Sequence, residues 1–172
     1  MRIDVVPVGD TSDDAVESAR AALSTHIDAS VVTRPPVPVP DAAHDATSNQ
    51  YNAERLIDTA VSAGEGDANL ALTPVDIFYK QRNYVFGLAY LDGSGCVVST
   101  HRLKTSSDGG TPTGRDAMRD RIRKEVLHEV GHTMGLQHCD DGACVMSFSP
   151  TVAEVDAKRE RPCPDCSLDG RV

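Results

Sequence analysis

The sequence predicts an α/β (α+β) fold with a mixed sheet, and three observations carry that expectation. Short runs rich in β-branched and aliphatic residues are separated by two amphipathic stretches at helical spacing. A hairpin then leads into a third, longer helical stretch. The 172 residues are 40% hydrophobic and 25% charged, which suits one globular domain with a core of its own. Aromatic residues make up only 4% and tryptophan is absent, so that core rests on Val, Leu, Ile and Ala.

Residues 1–9 (MRIDVVPVG) alternate and are β-branched, as a first strand should be. Ser12 or Asp13 caps the helix that follows, where Val16, Ala19, Ala22 and Leu23 recur at helical spacing. Thr33–Pro40 (TRPPVPVP) is expected as an extended surface connection, because each proline lacks an amide donor. Asn49–Ala63 reads as a second amphipathic helix bearing Tyr51, Leu56, Ile57, Ala60 and Val61. Ala68–Leu72 reads as a short buried strand. Tyr84–Leu91 and Val97–Thr100 flank Asp92-Gly93-Ser94-Gly95, a hairpin pattern. Ser106–Gly114 (SSDGGTPTG) reads as a flexible loop. A long helix is expected from about Arg115 to Met134, with Thr113 or Gly114 at its N-cap and Gly135 just past its end.

The formal net charge is −9, from 26 acidic and 17 basic residues. That balance excludes a nucleic-acid binder, which needs a basic surface to neutralise phosphates. Asp outnumbers Glu and Arg outnumbers Lys, a bias that suits either a protein bathed in high salt or an ordinary acidic one. No stretch is long and apolar enough to span a membrane, and the acidic N-terminus does not read as a signal peptide. A cytoplasmic location is therefore expected. In that reducing compartment the five cysteines are expected as metal-bound or free thiols.

Residues 128–138 read HEVGHTMGLQH, the pattern H-E-x-x-H-x-x-G-x-x-H. His128 and His132 lie one helical turn apart and can both reach one ion. Glu129, beside the first, can lean over an open coordination position as the general base. Gly135 can adopt the left-handed conformation that ends a helix and swings His138 back as a third ligand. Three neutral imidazoles leave a fourth vertex for water, the catalytic form of a zinc site. Such a set also accepts iron, cobalt or nickel in isolation.

Cys139-x4-Cys144 and Cys163-x2-Cys166, separated by 18 residues, read as a second, closed site holding a structural zinc. The competing readings are a Cys163-Pro-Asp-Cys166 redox pair or disulfides. The segment has few large apolar residues, so metal binding would supply much of its folding energy, on the order of 10 kcal/mol. Cys96 reads as a buried strand cysteine.

With Cys139 directly after the histidine string, and then Cys144, Met146 and Cys163-x2-Cys166, the chain resembles the archaemetzincins, a compact branch of the metzincin zinc peptidases. The likeness extends to Asn83–Ala89 (NYVFGLA) and to Phe148-Ser149, and is strongest over residues 70–166. It implies a metzincin-like mixed twisted sheet, an active-site helix and a methionine turn at Met146 packed beneath the imidazoles. It also makes Tyr84–Leu91 the candidate edge strand for extended peptides, although an internal strand is equally open. Several metzincins carry a tyrosine two residues after that methionine to assist the oxyanion; here the position is Phe148, which has no donor.

The expectation is a single metallopeptidase domain over 1–172, with the sheet and active-site helix in 1–138 and the cysteine-rich zinc-binding segment in 139–172. It would use two zinc ions, one catalytic and one structural, to hydrolyse peptide or protein substrates. Its rival is a non-catalytic two-zinc interaction module. The five basic residues of Arg115–Lys124 read as a solvated helix face, since acidic residues interleave with them. Lys158 and Arg159, between the cysteine pairs, read as solvated charge in preference to a hold on a substrate carboxylate, and His26, His44 and His101 carry no ligand spacing.

Overall fold

The structure, a computed structural model, describes residues 1–105 and 113–168. Its elements run β1 (Arg2–Pro7), α1 (Asp13–His26), β2 (Ser30–Thr33), β3 (His44–Asp45), β4 (Gln50–Asn52), α2 (Ala53–Ala63), β5 (Ala68–Thr73), β6 (Ile77–Phe78), β7 (Gly87–Ala89), β8 (Gly95–Ser99), α3 (Arg115–Thr133) and α4 (Val152–Ala157). The principal sheet has the order β2-β1-β5-β8-β7. Its first four strands are mutually parallel, and β7 adds antiparallel to β8 at the edge. The sheet is thus mixed, as the sequence predicts. β3, β4 and β6 form a separate small sheet.

Side-chain alternation along the central strands sorts the core into two layers. Val5, Leu70, Leu72, Cys96 and Val98 face α1 and α3, whereas Val6, Ala71 and Val97 face α2. Helices on both faces cover these strands, which is why they read as continuous apolar runs. The first layer also takes in Cys144, Val145, Met146, Val152, Val155, Cys163 and Leu168. The cysteine-rich segment therefore shares the principal core.

Ser12 caps α1: its side chain accepts the Ala15 N–H at 3.1 Å, and Asp13 and Asp14 suit the first turn of the helix dipole. α2 begins at Ala53, later than expected, because Asn52 is its cap. Residues 50–52 are instead drawn into β4, where Tyr51 pairs with Ile77 and donates its N–H to Asp76. β2 has no counterpart in the sequence reading; it is four residues long with exposed ends, and its partner β1 is remote in the chain. Beyond it the proline-rich connection is extended and is pinned by the Val37 N–H on the Pro7 carbonyl at 2.9 Å.

The loop expected over Ser106–Gly114 lies outside the described residues, apart from Thr113 and Gly114. α3 runs as expected, with Gly114 at its N-cap position. Its basic residues are solvated only at the start: Arg115 is exposed, whereas Arg121 and Lys124 are buried. Arg115 and Arg119 pair with Asp14 of α1, Arg121 with Asp156 of α4, Arg123 with Glu160 and Lys124 with Asp120. The Arg119, Arg121 and Arg123 pairs tie α3 to its neighbours, and Lys124 pairs within the helix; Arg121, in the enclosed part, is only 3% exposed.

Candidate active site and metal centre

The last turns of α3 carry the site. His128 and Glu129 are buried there, and His132 stands one turn further on. The helix ends at Met134, and Gly135 takes φ +89°, a left-handed turn in which the Gly135 and Leu136 N–H groups satisfy the His132 and Gly131 carbonyls. That turn returns the chain so that His138 faces the other two histidines. The ligand nitrogens of all three lie within 4.8 Å of one another.

The tautomers follow from the hydrogen bonds. His128 Nδ1 lies 2.8 Å from the Val145 carbonyl and His132 Nδ1 lies 2.7 Å from the Leu136 carbonyl. A carbonyl only accepts, so both Nδ1 atoms carry the proton and both Nε2 atoms present lone pairs. Those Nε2 atoms stand 3.1 Å apart. Two converging lone pairs repel unless a cation lies between them. For tetrahedral zinc with Zn–N of ~2.0–2.1 Å the N···N edge is ~3.3 Å, close to the observed spacing. The residues therefore fit a metal, with backbone carbonyls orienting the imidazoles. Among the described residues no fourth His, Cys, Asp or Glu joins the three.

Electrostatics favour the same state. Burial holds His128 well below the usual imidazole range, helped by the Lys158 charge and by His132. Burial also lowers His132 and His138, with Lys158 contributing at both and Arg82 at His138. Neutral imidazoles are the form that binds metal. Glu129 is pushed well up by burial and then by the neighbouring Glu125 carboxylate, while Lys158 opposes that shift.

Two glycines permit close approaches here. A Cβ on Gly131 would lie 2.6 Å from the Sδ of Met146, so the fully buried methionine packs directly under the helix turn that bears the histidines. A Cβ on Gly87 would lie 2.5 Å from Oε1 of Glu129, so the edge strand rests against that carboxylate.

The thiols of Cys139, Cys144, Cys163 and Cys166 form the second cluster, also within 4.8 Å of one another. Cys139 Sγ and Cys163 Sγ are 3.7 Å apart. That is too far for a disulfide, and it matches the ~3.8 Å edge of a tetrahedron with Zn–S of ~2.3 Å. Cys144 Sγ accepts the N–H groups of Met146 and Cys163 at 3.4 and 3.3 Å. The backbone N–H of Asp165 holds the Cys163 thiol below its usual range. Cys96 lies wholly buried in β8, and burial pushes its thiol well up.

A cleft of about 860 Å³ runs between β7 and the residues after Met146, with Arg82, Tyr84, Leu88, Glu129, His138 and Phe148 among its walls. β7 forms the sheet edge, which decides between the edge and internal readings of that segment. The Tyr84 hydroxyl donates to the Pro150 carbonyl at 3.1 Å, and Phe148 is exposed. Three residues here escaped the sequence reading. Glu125 lies one turn before Glu129, a spacing visible in the string. Arg82 carried no signal. Lys158, expected as solvated charge, is instead 2% exposed and paired with Glu125, because α4 folds it back onto α3.

An active-site helix lying under the antiparallel edge of a mixed sheet, with a methionine packed beneath its histidines, defines a metallopeptidase of metzincin type. Within that class the chain belongs to peptidase family M54, whose family model matches residues 35–169. The archaemetzincin of Halobacterium salinarum is 54% identical over 96% of this chain and 97% of its own. Among solved structures, the Archaeoglobus fulgidus archaemetzincin complexed with malonate is 32% identical, with a TM-score of 0.84 over 96% of this chain and 98% of that one. The Methanopyrus kandleri archaemetzincin is 33% identical, with a TM-score of 0.85 over 96% and 91%. The protein is accordingly a zinc metallopeptidase, a hydrolase that acts on peptides or proteins. Among the described residues, no helix is long and apolar enough to cross a membrane.

Proposed function

We propose that His128, His132 and His138 hold the catalytic zinc, that Glu129 is the general base of peptide-bond hydrolysis, and that Cys139, Cys144, Cys163 and Cys166 hold a second, structural zinc. The observation that carries this reading is the pair of Nε2 lone pairs 3.1 Å apart with both Nδ1 protons committed to carbonyls. A zinc ion at this centre supplies Lewis acidity, which brings the pKa of water toward ~7 and polarises a peptide carbonyl.

The chain's own groups do the rest. Glu129 takes the proton of the attacking water on a carboxylate oxygen and later delivers it to the departing amine nitrogen. Its burial suits a base of raised proton affinity. The outer edge of β7 offers backbone groups that hold an extended substrate by strand addition along the cleft. Phe148 supplies no proton to the oxyanion.

The segment from Cys139 onward acts as part of one peptidase domain, because its apolar residues belong to the core of the sheet and α3. A cytoplasmic setting is consistent with thiols kept available for metal.

Elemental analysis together with a peptide-library cleavage assay tests the reading. Two zincs per chain are expected, with cleavage by the wild type and a loss of ~10²–10⁴ in kcat for Glu129→Gln at unchanged zinc content. Wild-type turnover in that variant would remove Glu129 from its role.

A further inference from the structure

Arg82 lies on the cleft wall, and its guanidinium sits over the ring of Phe148, 5.1 Å from the ring centroid. A guanidinium in contact with a ring keeps N–H groups able to donate. Among the described residues no carboxylate pairs with it. Arg102 nearby, by contrast, is held by two hydrogen bonds to Asp76. The other charged groups of the cleft lie deeper: Glu125 is paired with Lys158, and Glu129, 5% exposed, rests against Gly87. In a chain of net charge −9 the cleft thus presents an unpaired cation to its contents. Arg82 and the three histidines line the same cleft.

We propose that Arg82 is a specificity-determining residue of this cleft, binding a carboxylate of the substrate peptide through charge-assisted hydrogen bonds. That carboxylate comes from an acidic side chain or from the peptide's own C-terminus. The proposal rests on the peptidase reading above for its substrate class. Arg82 is exposed, so the contact is screened by salt and its effect is moderate, about fivefold in affinity at low salt.

The test uses one short peptide in four forms, with Asp or Asn at an interior position and a free or amidated C-terminus. Each is titrated calorimetrically into zinc-loaded Glu129→Gln protein, alone and combined with Arg82→Gln or Arg82→Lys. A roughly fivefold preference for one acid form over its amide partner is expected at low salt, declining as salt is added. It should collapse in Arg82→Gln and be partly kept in Arg82→Lys, and the form that shows it identifies the source of the carboxylate. Equal affinity for acid and amide forms, no binding of any form, or a preference surviving in Arg82→Gln overturns the proposal. The salt titration is made with Arg82 in place, so it tests the contact without relying on how a variant folds. Should the acid forms bind preferentially while wild-type protein cleaves none of the four, the carboxylate subsite stands and the peptidase reading falls. Should wild type cleave acid and amide forms alike, the reverse holds.

Discussion

The ammonium of Lys158 lies 2.9 Å from Oε1 of Glu125, with side-chain exposures of 0% and 4%. This ion pair joins the cysteine-rich segment to the active-site helix one turn before Glu129. Within 3.5 Å Lys158 also approaches the Ser147 carbonyl, next to Met146.

Breaking that pair from one side strands a buried charge, so Lys158→Met should destabilise the fold by ~3–5 kcal/mol. Converting both partners, with Lys158→Met and Glu125→Leu together, should restore most of that loss. Chemical denaturation of the three variants measures both effects. A double variant as unstable as the single one would show that the lysine stem, not its charge, holds the segment.

Gly87→Ala places a methyl group where Glu129 Oε1 and Cγ now sit, and also near the Val97 carbonyl. A cost of ~1–3 kcal/mol in stability is expected from overpacking. Because the carboxylate has to move, kcat should fall while zinc content stays at the wild-type level. Steady-state kinetics paired with metal analysis separate the two effects.

Cys163→Ser removes one of four thiols from a cluster that lies against the principal core. Zinc per chain should drop from two to one or fewer, and the loss should spread to the histidine centre. The coupling runs through Val145, whose carbonyl orients His128 and which directly follows Cys144. Cobalt substitution reads the histidine site spectroscopically. An unchanged cobalt spectrum there would show that the two sites are independent.

Asp156 is held below the usual carboxylate range by its hydrogen bonds to Arg121, against an opposing effect of burial. A carboxylate depressed in the folded state contributes stability that is fully present above the unfolded value of ~3.9 and lost as pH falls through the folded value. Asp156→Asn should therefore lower Tm at pH 7. Its deficit relative to wild type should narrow once the pH drops below ~4. Thermal melts of both proteins across that range provide the check.

The histidine string was legible because its logic is local: a helical turn sets the distance from His128 to His132, and a glycine turn brings back His138. The cysteine pairs were legible through spacing alone. By contrast β2 and β4 drew their conformation from partners far along the chain, and neither Ser30–Thr33 nor Gln50–Asn52 carries enough periodicity to announce a strand. α4 spans six residues and depends on its Thr151 and Glu154 capping box and on Arg121 reaching across to Asp156. The same enclosure turned Arg121, Lys124 and Lys158, expected as solvated charge, into paired, buried groups, while Arg115 stays exposed.

By itself, then, the sequence determined the class of sheet, the helix that bears the site, the residues of the histidine and cysteine clusters and the neighbouring acid. Each of these follows from residue type and short-range spacing. Only the tertiary structure decided that β7 lies at the sheet edge against Glu129, that Val145 orients His128, that Lys158 neutralises Glu125 and that Arg82 faces the cleft without a carboxylate. These relationships join residues from separate elements, and burial rather than local chemistry determines whether a charge there is solvated or paired.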